Sequence, residues 1–154
     1  MKTGDMSTLE PRTGLERARG RRLDLMLAMQ GLEKAVASAA PDQETWLADV
    51  RSTSSDVMAA LRAHIDEVEG EDGLLAEIRF DAPRLTHMVE DLEREHQDLL
   101  AACDRLEEAL YADSPDIRRG RRRALRLLGQ LSLHRQAGAD LVYEAYNVDI
   151  GGPG

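Results

Sequence analysis

From Leu85 to Leu110 the apolar side chains keep a strict alternation of four and three: Leu85, Val89, Leu92, His96, Leu99, Cys103, Leu106, Leu110. Such a run specifies an α-helix with one buried face, because about 3.6 residues per turn brings every third or fourth side chain back to the same side. One slot in the run belongs to a histidine, His96. Two other series repeat the pattern, Val57, Leu61, His64, Val68 and Ala124, Leu127, Leu131, His134, Gly138, Leu141, Ala145, Val148. Three different helices therefore each direct one imidazole inward. His87 precedes His96 by nine residues, about half a turn around the axis, and is expected in solvent.

The same spacing divides the rest of the chain. Helix A is expected from about Thr13 to Ala39, with the stripe Leu15, Ala18, Arg22, Leu25, Met29, Leu32 and Val36, stopped by Pro41. Helix B starts near Pro41 and Asp42, carries Trp46 and Val50, and ends at Gly70. The stretch Glu71 to Ala82 holds Leu74, Leu75, Ile78 and Phe80, too apolar for a free loop, and is expected to form a short helical plug at one end. Helix C spans about Pro83 to Tyr111. Ser114 as N-cap and Pro115 at the first helical position open helix D, which continues to about Val148. Short connectors between long helices force antiparallel neighbours, so the fold class is an all-α, up-down-up-down four-helix bundle. Residues 1–12 are expected as a flexible tail, 13–150 as the bundle and 151–154 as a C-terminal tail.

Composition agrees. A chain of 154 residues, 42% hydrophobic and 32% charged, supports one core, and only 3% aromatic content favours helix packing over a sheet. A net charge of -9 argues against nucleic-acid binding, which needs a basic face. No apolar run is long enough to cross a membrane. One cysteine, Cys103, on a buried stripe and no cleavable leader point to the cytoplasm. Arginine outnumbers lysine heavily, and alanine is abundant, a bias of GC-rich bacterial genomes.

In the antiparallel order His64, His96 and His134 come to similar depth, so one central site is geometrically allowed. Neutral imidazole is a frequent ligand for iron, zinc and copper. Glu67 follows His64 by three residues and Glu93 precedes His96 by three, on adjoining sectors of the same helix faces. The candidate metal ligands are His64, Glu67, Glu93, His96 and His134. The alternative for Glu67 and Glu93 is a solvated flank of each stripe, and for the histidines a structural hydrogen bond.

Several strings, HIDEVEGEDGLLAEI, APRL, LEREHQDLL and above all HRQAGADLVYEAYNVDIGG, resemble the hemerythrin-like (HHE cation-binding) family, in particular its divergent actinobacterial branch. The resemblance implies a four-helix bundle with a non-haem iron site that binds oxygen or a related small oxidant, or senses iron or redox state. The family pattern has a histidine on the first helix, HxxxE on the second, HxxxH on the third and HxxxxD on the fourth. Here helix A has none, and Val68, Leu100 and Ala139 stand where the second ligands of helices B, C and D would be. Four histidines, one facing outward, are too few for an oxygen-carrying di-iron centre. Arg22 takes helix A's position at about the depth of the histidines, where it is expected to snorkel outward, pair with Glu67 or Glu93, or hold an anion. The function expected is thus metal binding, with iron as the cofactor and a small diatomic molecule as partner. The alternative is a metal-free bundle serving as a structural or interaction module.

Arg118, Arg119, Arg121, Arg122, Arg123 and Arg126 form a basic run near the start of helix D, either a solvated face or a surface for a homodimer or an acidic protein partner. The acids from Asp66 to Asp72 are expected beside Arg12, Arg17, Arg19 and Arg21 at the opposite end. Cys103 is expected as a buried inert thiol, and Tyr143 and Tyr146 as packing residues. No phosphate loop or nucleophile triad is present.

Overall fold

A computed structural model describes residues 13–148 and carries the chain in five helices: α1 (Gly14–Ala37), α2 (Gln43–Glu69), α3 (Leu74–Asp81), α4 (Thr86–Leu110) and α5 (Ile117–Val142). Among the described residues there is no strand. The expected tails, 1–12 and 151–154, lie outside the described residues, as do 149 and 150. α1 packs on α2 and α5, and α4 packs on the same two, so the four long helices form the corners of an antiparallel bundle. α3 is the expected plug between α2 and α4, touching α1, α2 and α4.

The helix starts follow from side chains that satisfy orphan backbone amides. Thr13 Oγ1 accepts from the Glu16 amide at 3.0 Å, and Asp42 accepts from the Thr45 amide at 2.7 Å. On α5 the cap is Asp116, which accepts from the amides of Arg118 and Arg119 at 2.9 and 3.3 Å, rather than Ser114. A carboxylate can take two amides at once, and the helix begins two residues later than its Ser-Pro signal implies. Pro83 to Leu85 form a 3-10 turn before α4, and Tyr143–Val148 widen into a π-helix in place of straight α-helix. Six residues are little more than one turn, too few for apolar spacing to tell the two apart.

The plug is fixed by its buried Leu74, Leu75 and Ile78, whereas Phe80, counted from sequence among the residues that make this stretch too apolar for a free loop, is 86% exposed. A Cβ on Gly73 would stand 2.3 Å from the Glu67 carbonyl oxygen, so only glycine lets the chain turn this closely against the end of α2. Glu77 on α3 accepts from the Gly14 amide at 2.9 Å, tying the plug to the start of α1.

The core has two apolar parts. One, at the end with the α1–α2 and α4–α5 connections, includes Leu25, Leu61, Leu99 and Leu131. The other, against the plug, includes Ala18, Val68, Leu92 and Leu141. Between them each long helix contributes one residue capable of polar chemistry: Arg22, His64, His96 and His134.

Candidate metal centre

The three histidines that the stripes turn inward meet at this layer. His96 is 1% exposed, His134 5% and His64 7%, while His87 is on the surface as expected. Ring centroids are separated by 5.4 Å for His64 and His96, 5.8 Å for His64 and His134, and 4.7 Å for His96 and His134. One nitrogen from each ring lies within 4.8 Å of the other two, a spacing from which three side chains can reach one ion.

Two carboxylates set the rings from outside. Glu69, at the last residue of α2, is 2.6 Å from His96 Nδ1 on α4, and Glu95 on α4 is 2.8 Å from His134 Nδ1 on α5. An imidazole donating its Nδ1 proton to a carboxylate presents Nε2 as a lone pair, the arrangement that orients metal-ligating histidines and raises their basicity. Each acid therefore serves the imidazole of the next helix round the bundle. α1 lies beside α2, yet offers His64 no acid, and His64 Nδ1 is buried without a hydrogen-bond partner.

Electrostatics keep two of the three rings uncharged. Burial, then His134 and the Arg22 guanidinium, push His64 down to about 4. Burial with His134 and His64 pushes His96 down to about 3. Both are neutral at pH 7, as ligation requires. Burial and the charge of Glu93 raise the Glu69 carboxyl above the ordinary carboxylate value.

Glu67 and Glu93, expected beside the histidines, are turned instead to arginines: Glu67 accepts from Arg17 at 3.0 Å, and Glu93 from Arg79 at 2.5 and 3.3 Å. Spacing of three along one helix places an acid next to its own histidine's sector, but the acids that reach the rings do so across helix interfaces. Glu69 is about 140° round the axis from His64, and Glu95 about 100° from His96, toward the neighbouring helix. Reading which residues flank each stripe on the side of the next helix is the signal that finds them. Arg22 forms neither expected ion pair; it is half-buried and lines a cavity beside the three histidines, together with Arg135, which the stripes did not single out.

The remaining features settle simply. Arg17 alone of the α1 arginines ties to the acidic end of α2, through Glu67 and the Asp72 carbonyl oxygen, while Arg21 pairs with Asp24 and Arg12 lies outside the described residues. Arg123 donates to the Arg105 carbonyl oxygen, Arg121 stacks near Trp46 at 5.4 Å, and the rest of the basic run is exposed. Burial pushes the Cys103 thiol up to about 11, which leaves it inert. Tyr146 reaches Glu77 at 3.5 Å, whereas Tyr143 is exposed. No described helix is long and apolar enough to cross a membrane.

No family model matches the chain, and neither the curated proteins nor the solved structures contain a match to it.

Proposed function

We propose that the protein is a hemerythrin-like metal protein whose bundle holds a single non-haem ion, iron by the resemblance of its sequence, on His64, His96 and His134. Its role in this reading is to bind or sense oxygen or a related small oxidant. The observation that carries the proposal is the convergence of three buried imidazoles, two of them oriented from behind by Glu69 and Glu95. A buried His64 nitrogen with no partner supports it, since such groups are costly unless something satisfies them.

The residues fit one ion and not two. Glu69 and Glu95 are engaged by imidazoles, Glu67 and Glu93 by arginines, and no carboxylate joins the histidine cluster among the described residues. A bound metal would supply Lewis-acid and redox chemistry. His64, His96 and His134 would hold it, with leucines packed above and below the layer, and burial keeps His64 and His96 neutral.

The test is metal content of protein made without a histidine tag and purified anaerobically with iron supplied. About one equivalent per chain is expected, and His96→Ala should abolish retention. Metal should raise the melting temperature of the wild type and leave that of the variant unchanged, because only a native-state ligand stabilises by mass action. Wild type that retains no metal, with equal melting curves in iron and in chelator, would refute the reading.

A further inference from the structure

The cavity at the histidine layer is walled mainly by leucine and valine together with the three imidazoles, and the wall is broken by guanidinium groups. Arg22 reaches it from α1 and Arg135 from α5. Neither has a hydrogen-bond or ion-pair partner among the described residues, and Arg135 Nε is buried with nothing to receive its proton. Burial, then the charges of Arg135 and the exposed Arg19, hold Arg22 below its ordinary value. Unpaired guanidiniums turned into an apolar cavity are unfavourable, because desolvation is uncompensated and like charges repel. The acids named above do not relieve this, since Glu69 and Glu95 serve imidazoles and Glu67 and Glu93 serve Arg17 and Arg79.

We propose that this cavity binds a short aliphatic carboxylate, its head between Arg22 and Arg135 and its tail against Leu75, Leu92 and Leu141. A guanidinium fork matches a carboxylate geometrically, and charge-assisted bonds of this kind are the strong ones. The apolar walls decide the rest of the ligand: an inorganic anion would meet the guanidiniums but gain nothing from the walls, while an alkyl tail gains burial. Gly138 on α5 leaves open space at the lining, with no atom within 4 Å of where a Cβ would lie, so access is not blocked on that side. The assignment goes beyond the metal reading and rests on the cavity and the two arginines, whether or not an ion is bound.

Calorimetric titration with n-butyrate, n-butanol and nitrate, on both chelated and metal-loaded protein, tests it. Butyrate should bind saturably in both forms, with butanol and nitrate weaker by about tenfold or more. Arg22→Gln and Arg135→Gln should each weaken butyrate by about tenfold, the loss of one charged hydrogen-bond partner, with the helical circular dichroism of the wild type retained. Butyrate affinity unchanged in both variants, or butanol or nitrate binding as tightly as butyrate, would overturn the proposal. So would butyrate binding confined to metal-loaded protein and indifferent to Arg22→Gln, which would place the carboxylate on the ion. Should either variant fail to fold, the comparison of the three probes on the wild type still decides. Protein that retains no metal but binds butyrate keeps this assignment and removes the metal reading; protein that retains metal and ignores butyrate does the reverse.

Discussion

His64 and His96 are depressed for related reasons, and both resist protonation in the folded chain down to about 4 and about 3 respectively. In the unfolded chain a histidine titrates near about 6.5. In chelated protein the unfolded state therefore takes up protons first as pH falls. Above about 6.5 neither group makes stability depend on pH, and through the window down to their folded-state values stability falls, by about 2 kcal/mol for each between pH 7.5 and 5. Denaturant unfolding at those two pH values, compared with His64→Leu, checks this: the variant should lose roughly half as much, and stability that rises toward pH 5 would contradict it. The carboxylates give a second prediction. Glu69→Gln and Glu95→Gln should each weaken metal binding by about 10- to 100-fold, because the oriented and polarised ring is lost. Glu67→Gln and Glu93→Gln should leave affinity within a few-fold, since those side chains spend their charge on Arg17 and Arg79. Equilibrium competition with a chromogenic chelator separates the two pairs. The histidines were legible in the sequence because a buried stripe names its members; their acids were not, because which flanking residue crosses to a neighbour depends on how the helices are rotated against one another.

Helix starts show the same division between what one segment dictates and what needs the whole. The Ser114-Pro115 signal correctly locates an opening helix, yet the cap is Asp116, which accepts from the amides of Arg118 and Arg119, two residues beyond those Ser114 would take. Asp116→Ala should thus cost about 1 kcal/mol of stability, and Ser114→Ala close to nothing. Thermal unfolding of both variants measures it, and equal losses would return the cap to Ser114. The plug was readable as an apolar segment too rich in leucine for a loop. That Phe80 points outward was not, since eight residues give barely two turns and the face is chosen by what α1, α2 and α4 leave open. The π-helix at Tyr143–Val148 left no trace in the apolar spacing at all.

At the scale of the molecule, the layer of Arg22, His64, His96 and His134 interrupts what would otherwise be one continuous hydrophobic core. A fully buried leucine contributes about 2 kcal/mol, and a buried polar atom with no partner costs about 1 to 3, so a bundle selected for stability alone would not keep this layer. His64 is the clearest case, with one buried nitrogen unbonded and no acid on the neighbouring α1 to serve it. His64→Leu should accordingly make the chelated protein more stable at pH 7, by about 1 kcal/mol or more, because the unsatisfied nitrogen goes and an apolar side chain of similar size takes its place. With metal in excess the order should reverse, since the wild type gains binding free energy that grows with free metal concentration and the variant has lost a ligand. Unfolding of both proteins in chelator and in iron measures four stabilities, and the crossing of the two pairs is the expected result. If His64→Leu is destabilised equally in both conditions, the imidazole is a packed structural element, and the cost of the layer has to be recovered by something other than a bound ion.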